Sequence, residues 1–235
     1  MRFDIARIDR AEVLRYLGYA GQVMTSELSA RIDAMIERCL AVCRPAGEVR
    51  IYDVVPDGPR MGEDGMPELP LEGCALVPRG HDIAAHLAGA CAVGVLACTL
   101  GVPSERELRR LSQVDPLDAV IFDAACTTLV ERAADACEAQ VVASARERGL
   151  FVNARYSPGY GDWGLEAQPQ MLAAVDAQRR LGLTLTPTLL LVPTKSVTAV
   201  IGLFDTPQPT HLRLCSKCHC REFCEIRKTG RTCRG

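Results

Sequence analysis

Asn153-Ala154-Arg155-Tyr156-Ser157-Pro158-Gly159-Tyr160-Gly161-Asp162-Trp163-Gly164 is the stretch on which the reading of this chain turns. Its last six residues have the spacing G-x-G-x-x-G, which in a dinucleotide-binding unit follows a hydrophobic strand and opens a helix. Here the glycines follow Arg155-Tyr156-Ser157-Pro158, and Trp163 would crowd a phosphate-binding turn. Pro158-Gly159 is a turn signal in its own right. The stretch therefore reads as a loop, and a doubly wound nucleotide-binding sheet is set aside. Arg155 and the two tyrosines beside the turn still supply a bidentate carboxylate binder and aromatic faces, which suit a small-molecule site.

Upstream of this loop, Pro116 opens a long apolar-rich segment that predicts one helix to about Gly149. Downstream, residues 168–181 predict a further helix and residues 183–204 predict apolar extended segments. Nearer the N-terminus, Leu28, Ile32, Met35, Ile36, Leu40 and Cys43 recur at helical spacing, with Ser26 as the expected cap and Pro45 as the stop. Residues 47–55 predict a strand, and the Gly- and Pro-rich stretch 57–80 predicts irregular structure. Residues 81–90 predict a helix capped by Asp82, 91–100 a buried strand, and 103–112 another helix. Helices and strands in mixed order, with no regular βαβ repeat, predict an α+β fold. We expect one mixed helix/sheet domain over residues 1–210 and a short tail over 211–235.

The chain has 235 residues, 48% of them hydrophobic, with 27 basic against 29 acidic side chains and a formal charge of −2. A charge near zero argues against a protein that coats nucleic acid, since nonspecific binding there relies on excess Lys and Arg. The longest uncharged apolar run, Leu87 to Val102, contains three glycines and falls short of the ~20 residues that a membrane-spanning helix needs. The first ten residues have no apolar core of a signal peptide. These features predict a cytoplasmic protein without nucleic-acid or membrane partners. The charge is nonetheless uneven: residues 211–235 carry seven Lys/Arg and two Glu, net +5, which leaves the preceding 210 at net −7.

Twelve cysteines stand out in such a composition. Seven are scattered among Ala, Val and Leu, where a free thiol packs as a small hydrophobe. The other five, Cys215, Cys218, Cys220, Cys224 and Cys233, fall within the last 21 residues. In a reducing compartment such density points to metal or redox chemistry. Cys215, Cys218, Cys220 and Cys224, four thiols within ten residues, are the expected ligands of one soft metal centre, and Cys233 is dispensable. Such a set suits an iron–sulfur cluster, a zinc ion is the alternative, and a tail of free thiols is the third reading.

The Arg155-x-Ser157-Pro158-Gly159-Tyr160 element, followed some thirty residues later by VPTKSVTAVIG (192–202), resembles the activation domain of vitamin B12-dependent methionine synthase. EVLRYLGY (12–19), CAVGVLACTLG (91–101) and the helix bearing Val130-Glu131 are similar to the same family, so that the resemblance spans nearly all of residues 1–205. It implies a freestanding reactivation protein that binds S-adenosylmethionine and supports reductive methylation of a corrinoid. It further implies that Arg155 holds the ligand carboxylate, that Ser157, Pro158 and Gly159 line the nucleoside, and that Tyr160 faces the corrin. Glu131 corresponds to a family acid near the corrin; a solvated helix-surface acid is its other reading.

This chain departs from the family in two places. Leu17-Gly18-Tyr19 stands where a ligand-contacting aspartate is expected, and the Cys-rich tail is additional. Nor does the chain carry the D-x-H-x-x-G loop of cobalamin carriers, since Asp82, His86 and Gly89 are misspaced for it. Cobalamin is therefore expected only by way of a partner, a corrinoid protein or cobalamin-dependent methyltransferase. In the large enzyme the electron comes from a flavoprotein, and here a tail cluster is an on-board alternative. The rival reading is a zinc-binding module that docks a corrinoid protein without turnover. A methyltransferase acting on an ordinary acceptor would need a nucleotide-binding strand-turn-helix that the sequence lacks.

Overall fold

Every residue of the strand Ala92–Thr99 is buried. A strand covered on both faces reads as a continuous apolar run, and its alternating side chains feed two separate cores. Ala92, Leu96 and Cys98 enter one core, while Val93, Val95 and Ala97 enter the other. This strand is the middle layer of a helix/sheet/helix arrangement.

A computed structural model describes residues 1–208. The expected metal ligands Cys215, Cys218, Cys220 and Cys224, and the expected boundary at 210, lie outside the described residues. In chain order the elements are α1 (Arg10–Tyr16), α2 (Ser26–Val42), β1 (Ala46–Asp53), β2 (Arg60–Met61), β3 (Pro67–Glu68), α3 (His81–His86) and β4 (Ala92–Thr99). There follow α4 (Val102–Val114), α5 (Pro116–Glu147), β5 (Phe151–Val152), a 3-10 turn (Leu165–Ala167), α6 (Gln168–Ala174), α7 (Ala177–Leu181), β6 (Thr184–Leu185), β7 (Leu191–Val192) and β8 (Ser196–Phe204). The main sheet has the order β1-β4-β8-β5 and is antiparallel throughout. The α+β expectation is met. No helix among the described residues is long and apolar enough to cross a membrane.

α5 is the organising helix. Asp115 caps it by accepting from the backbone N–H groups of Leu117 and Asp118, with Pro116 in the first turn, where a missing N–H costs nothing. Arg31 on α2 pairs with both Asp115 and Asp118 and so ties the two helices together. α5 lies close on the sheet because β4 offers Gly94: a Cβ there would stand 2.7 Å from Cγ1 of Val141. On the same side, Glu107 of α4 accepts from Arg38 of α2 and from Arg110. Those hydrogen bonds, Arg110 first, hold its carboxyl down at about 2.

Three local expectations are corrected. Thr25, not Ser26, caps α2, its hydroxyl accepting from the N–H of Leu28. Asp82 does not cap α3; it lies in the first turn, and the cap arrives from Asp162, eighty residues away. The helix expected over 168–181 is two short ones, because Asp176 adopts the left-handed conformation (φ 54°) between them. Aspartate tolerates that conformation better than most residues, so no Gly or Pro marks the break in the sequence. Of the seven scattered cysteines, Cys39, Cys43, Cys98, Cys126 and Cys137 are buried, and Cys74 and Cys91 partly so.

Candidate ligand-binding site

The 153–164 loop leaves the sheet edge under tight control. Asn153 clamps two elements, its side-chain amide donating to the carbonyl of His86 and its oxygen accepting from Gly202. Tyr156 then pairs with Val200 of β8 through both backbone hydrogen bonds, at 2.9 and 2.8 Å. The chain next turns over Pro158 and Gly159. The N–H of Gly159 donates to the carbonyl of Trp163 at 2.7 Å, and Trp163, 2% exposed, plugs the second core.

Asp162 and Asp82 lock the far end of the loop reciprocally. The Asp162 carboxylate accepts from the N–H groups of His81 (2.6 Å) and Asp82 (2.9 Å), while the Asp82 carboxylate accepts from the N–H of Asp162 (3.1 Å). Desolvation pushes the Asp162 carboxyl up, but the backbone donors of Asp82 and His81 prevail and hold it below the ordinary aspartate value. Gly161 (φ 55°) is the residue that lets this happen, since a Cβ there would fall 2.1 Å from Oδ2 of Asp82 and 2.6 Å from the Tyr156 hydroxyl. Burial, and then the charges of Asp82 and Asp162, raise the Tyr156 hydroxyl above its ordinary value.

On this frame the Tyr156 ring stands between His86 (4.9 Å between centroids), Tyr160 (6.2 Å, edge-on) and Trp163 (6.2 Å). His86 is fixed by Nε2 against the carbonyl of Ala154 at 2.9 Å. Tyr160 itself is 66% exposed, so its ring is presented outward at the loop tip. Pro158 is buried, Ser157 is half-buried and Gly159 is exposed.

Arg155 points the other way, toward α5. Its side chain is only 9% exposed and meets three carboxylates: Asp135 at 2.9 Å, Glu138 at 3.1 Å and Glu131 at 3.4 Å. Positions 131, 135 and 138 share one helix face by their spacing of four and three. Arg155 and Glu131, named separately in the sequence, are thus brought together, while Tyr160 occupies the neighbouring loop tip. Asp135 and Glu138 were missed, although their helical spacing from Glu131 was a readable signal. A shallow groove of about 480 Å³ adjoins the cluster, lined by Asp135, Glu138, Ala139, Val142, Ala143 and Arg146. That size is within the range of small-molecule sites. Arg155 sits among three carboxylates, and Arg132, 3.7 Å from Asp135, and Arg146 in the groove lining bring the patch close to neutral, so that it offers both signs of charge to a ligand.

No family model and no curated protein matches this sequence. Among solved structures the fold is similar to "Crystal Structure of the MetH Reactivation Domain bound to AdoHcy", with a TM-score of 0.61 at 14% identity, covering 96% of this chain and 82% of that chain. The likeness shows a shared fold: a mixed helix-and-sheet domain like the one that the sequence led us to expect.

Proposed function

We propose that this chain binds S-adenosylmethionine at the Arg155–Tyr160 loop and supports reductive methylation of a corrinoid carried by a separate methyltransferase or corrinoid protein. The observation that carries this reading is the fold shared with a reactivation domain solved with AdoHcy. The charge of the site fits the ligand. S-adenosylmethionine has one carboxylate and two cationic centres, ammonium and sulfonium, and Arg155 with Glu131, Asp135 and Glu138 offers a complement to both signs. Arg155 takes the ligand carboxylate in its planar fork, which frees a carboxylate of α5 for the ammonium. That acid replaces the missing aspartate at Leu17-Gly18-Tyr19. Ser157, Pro158 and Gly159 line the nucleoside, and Tyr160 meets the corrin of the partner.

The work of the protein is then largely positional. One electron converts the substrate's Co(II) to Co(I), whose electron pair attacks the sulfonium methyl; methyl-Co(III) forms and S-adenosylhomocysteine leaves. Holding the methyl in line above cobalt contributes several kcal/mol, about the scale of proximity effects. Cys215, Cys218, Cys220 and Cys224 would hold an iron–sulfur cluster, a group to which four thiolates are suited and which would supply one-electron chemistry; a separate reductase is the other source of the electron.

A second reading draws on the pairing of Arg155 with three carboxylates of its own chain. In it the loop is structural, zinc holds the tail, and the protein only docks a corrinoid protein. Titration calorimetry separates the two. S-adenosylmethionine binds the wild-type protein and loses more than about tenfold in affinity in Arg155→Lys, because an ammonium cannot present the bidentate fork. Equal affinities, or no binding by the wild type, contradict the first reading.

A further inference from the structure

Cys39 in the last turn of α2 and Cys43, the residue that follows the helix, stand four positions apart, and Cys126 of α5 faces them. The three sulfurs are separated by 3.5, 3.7 and 3.8 Å, and the residues are 0–2% exposed. We infer that these three cysteines form a buried binding site for a thiophilic divalent cation of the zinc and cadmium class, distinct from the cysteines of the tail.

Sulfur spacing is the first argument. Two thiolates bound to one tetrahedral zinc at about 2.3 Å lie about 3.8 Å apart, close to all three observed separations. The circle through the sulfurs has a radius of about 2.1 Å, so an ion with bonds of 2.3 Å sits roughly 0.9 Å off their plane, with a fourth position open. Water or a small thiol completes it, since no other His, Cys, Asp or Glu among the described residues joins the group.

Charge is the second argument. Three thiolates around a dication leave −1, against −2 around a monocation such as Cu(I), and burying the smaller charge costs less. Arg44 and Lys195 favour the ionised forms of Cys43 and Cys39 weakly, since Lys195 is itself paired with Asp123 at 2.8 Å. Both anchoring helices are fixed independently of a metal, by Arg31 bridging to Asp115 and Asp118 and by Arg38 bridging to Glu107. The sulfurs are therefore arranged in advance. Entry requires α2 to lift from α5, so loading and release are slow.

The test uses the full-length chain with Cys215, Cys218, Cys220, Cys224 and Cys233 replaced by Ser, which removes the competing tail thiols. Under anaerobic reducing conditions, cadmium alone is added. The expected result is a near-ultraviolet thiolate-to-cadmium band that saturates at one equivalent, with up to about three protons released per ion as the thiols ionise. Cys126→Ala in this background lowers affinity more than about tenfold, and Cys91→Ser, at a partly exposed cysteine outside the group, does not. Because Cys126→Ala also removes core volume, a second measurement uses the parent: bound cadmium protects Cys39, Cys43 and Cys126 from alkylation in mild denaturant. Absence of the band, equal affinity in Cys126→Ala with no protection, or a disulfide within the trio under reducing conditions overturns the inference. None of these outcomes bears on S-adenosylmethionine binding, which is read at a different site.

Discussion

Tyr160 and Glu107 show how differently single residues serve this molecule. Tyr160 projects from the loop with most of its ring in water, so Tyr160→Ala is expected to change stability by no more than about 0.5 kcal/mol, the usual range for exposed positions. Its effect should appear only when a corrinoid partner is present. Thermal melting of the variant checks the first half of that statement. Glu107 is instead a structural charge between Arg110 and Arg38, held at about 2 against an ordinary value of 4.5. A depressed carboxylate stabilises the fold above its unfolded value and loses that contribution as pH falls through its folded value. Glu107→Gln should therefore melt lower than wild type at pH 7, by an amount that stays constant down to about pH 4.5 and shrinks toward zero near pH 2. A gap that persists at pH 2 contradicts this account of the α2–α4 clamp.

Among the elements, the cap of α3 and the seat of α5 make the strongest demands on sequence. Asp162→Ala removes the acceptor for two N–H groups at the start of α3 and should cost about 1 kcal/mol, with faster amide exchange at His81 and Asp82. Unchanged exchange there would mean that water replaces the cap. Gly94→Ala drives a methyl into Val141 and should cost about 1–3 kcal/mol as α5 is forced off the sheet. Denaturant titration reads this directly. These two cases also mark where the sequence was legible. α5 could be read from Pro116 and its apolar length, and β4 from an uninterrupted apolar run. The α3 cap could not, because Asp162 and its donors lie eighty residues apart and are joined only by the tertiary fold. At the site, the Arg155–Tyr160 loop was visible as a motif. The acids at 135 and 138 were visible only as helix-surface charge until Arg155 was seen to reach them. Cys39 and Cys43 announce a pair by their spacing, but nothing local announces Cys126 as the third.

At the scale of the whole molecule, an acidic body of net −7 precedes a basic tail of net +5. Complementary charge mainly accelerates encounter, and salt screens it over about 10 Å at 0.1 M. The pairing with a corrinoid protein should accordingly slow as ionic strength rises. Metal analysis of anaerobically purified protein gives a parallel reading: iron with acid-labile sulfide favours electron delivery by the tail, and zinc beyond the one equivalent that the buried trio takes, without sulfide, favours the docking module. The most direct measurement mixes this protein with a corrinoid protein poised as Co(II), S-adenosylmethionine and a low-potential reductant, and follows the cobalt spectrum. The account predicts the methyl-Co(III) spectrum, formed much more slowly with Tyr160→Ala. No such spectrum with any corrinoid partner, while the protein by itself retains tightly bound cobalamin, would contradict it.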